Sequence, residues 1–136
     1  MSYAISAALQ AGVYQTLYTN PTVSGLAGIN VYDALPSGPL PDLYVSLGPD
    51  VAQDASDKTG RGAWHRFTVS VVSNTPGFAK AKDLAVAVCD ALIDAQPTLS
   101  RGRIVGLYFD RATATRRDAD EGRQIDLRFK ARVEDI

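Results

Sequence analysis

Apolar positions near the start of the chain recur at every fourth residue, which is typical of one face of an α-helix. These apolar positions are Ile5, Leu9, Val13 and Leu17. The spacing predicts a helix with Ser2 as its N-cap that reaches about Thr19. Pro21 should end it, because proline disfavours helical geometry in the preceding residue. A short linker with two glycines is expected next.

Three segments in the first half of the chain predict strands. "INVYDALP" predicts a brief strand that ends at Pro36. "LYVSLGPDV" predicts a longer strand, and "AWHRFTVSVVS" predicts another with His65 on the inward side and Trp64 on the outward side. In the longer strand the following residues are expected on the buried face: Leu43, Val45, Leu47 and Val51.

The second half of the chain predicts a helix and then two strands. Thr75 is a suitable N-cap, Pro76 suits the first helical position, and an apolar stripe follows. The stripe consists of Ala81, Leu84, Ala85, Val88 and Leu92. "RIVGLYFDRATATRR" and "GRQIDLRFKARVED" then predict two strands joined by "DADEG". The last strand alternates cleanly, with cations on its outward side.

This order of elements predicts an α+β fold, in which two helices pack on one face of a mainly antiparallel β-sheet. At 136 residues, with no long linker and no internal repeat, residues 1–136 are expected to form a single domain. With 46% hydrophobic and 21% charged residues, the composition is that of a folded protein.

Charge and targeting features narrow the functional classes. A net charge of −1 provides no overall field that would attract nucleic acid or an acidic membrane. The N-terminal residues match no signal peptide, and no apolar run is long enough for a membrane span. The single cysteine, Cys89, allows no internal disulfide and is expected to be a packed structural thiol.

Ionisable residues are densest in "DASDKTGRGAWHRFTVSVVS", which contains the single histidine. Because His65 alternates with apolar residues, we interpret it as a histidine at the edge of the core, hydrogen-bonded to a loop. A catalytic base is the alternative, but no motif places a nucleophile beside it. Asp54 and Asp57 lack the ligand spacing of a calcium loop, and "KTGRG" lacks the context of a phosphate-binding loop. We therefore expect no catalytic residue, metal or cofactor.

The same segment supplies candidate contact residues. The mixed charges and glycines of residues 54–62 indicate either a solvated hairpin tip or a protein contact. Trp64 should be exposed in a monomer, and exposed tryptophan and arginine are typical anchors of protein interfaces. The outward row of the last strand is either solvated or an ionic contact to a neighbouring subunit, with phosphate contact as a third option. The candidate inter-subunit or inter-ring contacts are Asp54, Asp57, Lys58, Arg61, Trp64, Arg66, Arg128, Lys130 and Arg132.

Several segments together resemble a known family. "SYAISAALQAGVYQTL", "VYDALP", "YVSLG", "SDKTGRG" and "GFAKAKDLAVAVCDAL" occur in the same order as in the tail-terminator (tail-completion) proteins of long-tailed phages. The similarity is greatest to those of alphaproteobacterial gene transfer agents. It covers nearly the whole chain, and none of the matching segments is a catalytic motif.

The resemblance implies a structural, non-enzymatic role in the tail or neck of a virion, after synthesis in the bacterial cytoplasm. Such proteins form a homohexameric ring that caps the tail tube, ends its polymerisation and joins the tail to the neck. The implied partners are further copies of the chain, the tail-tube protein, a stopper or head-completion protein, and DNA that passes through without sequence-specific binding. No membrane is implied.

Three alternatives stay open at this point. The chain could be another neck component, such as a stopper or head–tail adaptor. It could be an enzyme or small-molecule binder that uses His65, or a single-stranded nucleic-acid module that stacks bases on Trp64 and tyrosines.

Overall fold

Three helices and five strands build the protein, in a computed structural model that describes residues 3–55, 62–75, 77–95, 97–117 and 122–135. The helices are α1 (Ser6–Thr19), α2 (Pro21–Ala27) and α3 (Ala79–Ala95). The strands are β1 (Val31–Tyr32), β2 (Leu43–Asp54), β3 (Gly62–Ser73), β4 (Arg103–Arg116) and β5 (Arg123–Glu134). The predicted α+β class is confirmed.

The strands form one open sheet in the order β1-β2-β3-β5-β4. β1 runs parallel to β2, and the other neighbouring pairs are antiparallel, so the predicted mainly antiparallel sheet is confirmed. The helices cover one face, and a single core joins them to the inward residues of the strands. Its largest fully buried apolar side chains are Phe129, Ile5, Leu17, Leu84 and Leu92. The opposite face of the sheet, which the helices leave uncovered, is called the outer face below.

The first helix ends as predicted at Thr19, whereas its predicted N-cap, Ser2, lies outside the described residues. The expected linker after it is wrong, because residues 21–27 form α2. The side chain of Asn20 accepts hydrogen bonds from the backbone N–H groups of Thr22 and Val23, at 3.0 and 3.1 Å. Pro21 therefore ends one helix and occupies the first turn of the next, where its missing N–H costs nothing.

The start of α3 also differs from the sequence prediction. The helix begins at Ala79 rather than after Thr75, whose hydroxyl instead lies 2.8 Å from that of Ser73. Gly77 has a left-handed φ of 82°, which interrupts helical geometry before Ala79. The predicted N1 residue, Pro76, lies outside the described residues. The predicted apolar stripe of α3 is buried and faces the core.

A β-bulge changes which side chains β2 buries. The register against β3 shifts between Leu47 and Asp50, so Val51 lies opposite Arg66 on the outer face. Val51 is 58% exposed, and its predicted place on the buried face is wrong. An extra residue in one strand moves every later side chain to the opposite face, which explains the error.

Candidate interface on the outer face of the sheet

Strand register brings five cations together on the outer face. Arg66 of β3 lies opposite Lys130 of β5, and Arg128 of β5 lies opposite Arg111 of β4. Arg132 continues the same row of β5 opposite Trp64. We call this set, Arg66, Arg111, Arg128, Lys130 and Arg132, the cationic face. Four of its members were predicted contact residues, and the fold adds Arg111.

Like charges lie directly across neighbouring strands in this cluster. Arg66 pairs in register with Lys130, and Arg111 pairs with Arg128. Side chains in such pairs lie about 5 Å apart at Cβ, and like charges there destabilise a sheet. A sheet that carries two such pairs side by side gains stability when an anion covers them.

No acidic side chain forms an ion pair with these cations within the described part of the chain. The ion pairs found there join Arg101 to Asp135 at 2.9 Å and Arg103 to Glu134 at 2.8 Å. Asp126 also points to the outer face, but its carboxylate accepts a hydrogen bond of 2.7 Å from the hydroxyl of Ser70. Asp126 keeps its negative charge, but the cationic face carries an excess of positive charge, although the whole chain has a net charge of −1.

Trp64 is less exposed than the sequence predicted. Its side chain is half-buried beside Tyr108 of β4, with ring centroids 6.2 Å apart and planes tilted by 44°. Lys130 Nζ lies 5.7 Å from the centre of the indole, and the guanidinium of Arg132 lies 6.0 Å from it. The prediction of an exposed tryptophan is wrong because β4 supplies a covering aromatic. Tyr108 itself is 49% exposed.

A glycine allows Arg132 to lie close to the sheet. A Cβ atom on Gly62 would stand 2.6 Å from Arg132 Nη1 and 2.8 Å from Cζ. Any other residue at position 62 would displace the guanidinium from this position. Within the part of the chain that the structure describes, Nη1 has no hydrogen-bond partner. The guanidinium is therefore positioned by packing rather than by an acid.

His65 lies on the inward side of β3, as predicted, and is fully buried. The expected hydrogen bond to a loop is wrong, since neither ring nitrogen has a partner among the described residues. The ring stacks on Tyr3 with 6.3 Å between centroids. Burial lowers the pKa of His65, and the negative charge of Asp50 partly opposes this effect. Neither ring nitrogen is hydrogen-bonded to a nucleophile among the described residues, so the environment of His65 is that of a core residue.

The remaining candidate residues lie in the loop after β2 and in α3. Asp54 ends β2 and is exposed, whereas Asp57, Lys58 and Arg61 lie outside the described residues. Cys89 of α3 is half-buried beside the core, and burial together with Asp90 raises the pKa of its thiol. This environment matches a packed structural cysteine.

Among the described residues, no three acidic, histidine or cysteine side chains cluster as metal ligands would. In the same residues, no helix has both the length and the apolar composition of a membrane span.

Comparison with known families identifies the class of protein. The family described as "Tail completion protein gp17" matches residues 11–134. The chain belongs to this family. The resemblance that the sequence segments indicated is thereby confirmed, and the chain is a structural protein of the virion tail.

A solved structure agrees with this assignment. The chain matches a component of the structure titled "Virion of native gene transfer agent (GTA) particle" with a TM-score of 0.91 and 56% sequence identity. The match covers 98% of this chain and 99% of that one. No curated protein matches the chain. The tail completion family and the virion structure together confirm the predicted location in the tail or neck of a particle.

Proposed function

We propose that the chain is a tail terminator, whose copies form a homohexameric ring on the last ring of the tail tube. The ring ends tube polymerisation, because its far side differs from a tube ring and accepts no further tube subunit. That far side joins the neck through a stopper or head-completion protein. In this proposal the chain catalyses no reaction. The match over 98% of the chain to a protein of a gene transfer agent virion is the observation that carries the proposal.

The edges of the sheet support a ring of identical subunits. β4 is the last strand of the sheet and is exposed along residues 108–116. At the other side, β1 covers only Val45 and Ser46 of β2, which leaves residues 47–54 without a strand partner there in the described sheet. Two different open edges on one chain are suited to a head-to-tail contact, and such contacts close into rings. We infer that these edges lie at or near the subunit boundaries.

The loop after β2 is our candidate for contact with the neighbouring ring. It comprises the segment from Asp54 to Gly62, with charged residues of both signs around two glycines. Opposed charges can pair with a neighbouring subunit and fix its register. Asp57, Lys58 and Arg61 are the side chains assigned to this contact.

Particle assembly tests this function. Deleting the gene from its producing genome should give overlong tubes or tails that fail to join heads, seen by electron microscopy. DNA-filled heads that leak while tail length stays normal would identify a stopper instead. In a complementation assay, replacing Asp57, Lys58 and Arg61 with serine should reduce joined particles. A matched change on α3, Lys80→Ser with Lys82→Ser, should restore assembly as the unchanged gene does, since both lysines are exposed on the helical layer.

A further inference from the structure

We propose that the cationic face binds the phosphate backbone of double-stranded DNA, without reading its sequence. The inference deepens the proposed function, since a ring that surrounds DNA would carry this face on its channel wall. Two cross-strand pairs of like charge, Arg66 opposite Lys130 and Arg111 opposite Arg128, lie on the sheet face that the helices leave uncovered. No described acid pairs with these four cations.

The arrangement fits a linear polyanion better than a small anion. Along β5 the cations occupy every second position from Arg128 to Arg132, so successive charges are about 6.7 Å apart along the strand. Arg66 and Arg111 on the flanking strands widen the row to three strands. The result is a band of charge on a sheet surface rather than a pocket that converges on one ligand. Double-stranded DNA presents one negative charge for about every 1.7 Å of axis, which supplies many phosphates to such a band.

The aromatic residues argue against base stacking. The indole of Trp64 lies against Tyr108, while Lys130 and Arg132 lie near its ring at 5.7 and 6.0 Å. A stacking platform for single-stranded nucleic acid needs an open ring face. In this arrangement the indole lies near the charged groups of Lys130 and Arg132 and restricts where they can lie. We therefore assign phosphate contact to the cations and a positioning role to Trp64.

Sequence-independent binding follows from the chemistry of the contacts. Arginine and lysine bind phosphate oxygens, which carry no base identity. Each cation that neutralises a phosphate releases counterions, so the logarithm of the affinity falls with the logarithm of salt concentration by about 0.9 per contact. Salt dependence therefore counts the contacts. A moderate affinity also suits DNA that has to move past the protein.

Fluorescence polarisation with a labelled 30-base-pair duplex of mixed sequence, at 50 to 200 mM NaCl, tests the proposal. The full-length protein is compared with Arg111→Gln/Arg128→Gln, two exposed positions whose change leaves the core intact. The double variant should reduce the salt slope by up to about 1.8. Between 50 and 200 mM NaCl its affinity should therefore fall by a factor about ten times smaller than that of the unchanged protein. Lys80→Gln/Lys82→Gln removes the same charge from the helical layer and should leave the slope unchanged. Arg128→Lys should retain binding.

Equal slopes for the two double variants would overturn the proposal, as would the absence of DNA binding by the unchanged protein. Binding to a poly-glutamate peptide in place of DNA would likewise overturn it and assign the face to an acidic protein. The oligomeric mass of each variant, measured in parallel, separates this inference from the proposed function. A hexamer whose DNA binding is unaffected by Arg111→Gln/Arg128→Gln retains the terminator function and refutes the DNA contact. A protein that forms no ring with the tail tube but binds DNA through this face supports the DNA contact and refutes the terminator function.

Discussion

The ring of Tyr3 stacks on the fully buried imidazole of His65, with 6.3 Å between ring centroids. Tyr3 also donates a hydrogen bond of 3.0 Å to Asp50, which accepts a second hydrogen bond of 3.2 Å from Ser6. These contacts attach the start of α1 to the bulged part of β2. Burial lowers the pKa of the imidazole beneath them, which favours its neutral form.

This contact predicts how stability depends on pH. Burial lowers the pKa of His65 in the folded protein, so the unfolded chain, with a pKa of about 6.5, binds the proton more readily. Stability is therefore full above about pH 6.5 and decreases as the pH falls below it. The melting temperature should be lower at pH 5 than at pH 7.5. His65→Phe removes the ionisable group and should reduce this difference, and an unchanged difference in the variant would contradict the assignment.

Gly102 and Gly28 form a matched pair for testing a close backbone approach. Both have a left-handed φ, 71° and 63°. A Cβ atom at Gly28 would meet nothing within 4 Å, whereas one at Gly102 would lie 2.5 Å from both the carbonyl oxygen of Glu134 and Ile5 Cδ1. Gly28 has φ 63° and ψ −135°, a conformation that residues with a Cβ atom rarely adopt, so Gly28→Ala should cost about 1–3 kcal/mol through backbone strain. Gly102→Ala should cost about 1–3 kcal/mol more through overpacking. Equal free energies of unfolding in urea titrations would show that the contact at Gly102 relaxes freely.

Phe129 holds the centre of the core. Its ring is fully buried, stacks on Phe67 at 5.5 Å and receives Phe109 edge-on at 6.0 Å. Phe129→Ala should lower the free energy of unfolding by about 3–5 kcal/mol, measured by urea denaturation. Val86→Ala, on the exposed side of α3, should change it by less than about 0.5 kcal/mol. A small loss from Phe129→Ala would contradict this packing.

Trp64 provides a spectroscopic measure of the positive field, because it is the single tryptophan. Cations beside its ring should concentrate iodide and repel caesium. Iodide should therefore quench its fluorescence more strongly than caesium at low ionic strength, and added salt should reduce the difference. Arg111→Gln/Arg128→Gln should weaken quenching by iodide and leave quenching by neutral acrylamide unchanged. Stronger quenching by caesium would contradict an excess of positive charge on the cationic face.

Much of the fold was predictable where one periodicity governs a whole element. Apolar residues at every fourth position predicted α1, and the apolar stripe predicted the buried side of α3. The alternation of apolar and charged residues predicted the inward side of β5. Prediction failed where a local feature has two effects. Pro21 ends one helix and begins another, and the bulge after Leu47 reverses the faces of β2.

The candidate interface was only partly predictable because it depends on strand register. Alternation placed Arg66 and the outward cations of β5 on one face, but it could not show that Arg66 lies opposite Lys130. Tyr108 and Arg111 were missed, because a bulge between Phe109 and Arg111 breaks the alternation of β4. The exposure of Trp64 was overestimated because the residue that covers it, Tyr108, comes from a strand distant in the sequence.

The oligomeric mass of the purified protein, alone and with tail-tube protein, decides whether the chain forms a terminator ring. Native mass spectrometry or light scattering should give a mass of six chains of 14.5 kDa, in solution or once tube protein is added. The complex should also stop tube growth, so that tube protein polymerised in its presence gives capped tubes without further extension. A chain that stays monomeric under both conditions, and leaves tube growth unchanged, would contradict the terminator ring.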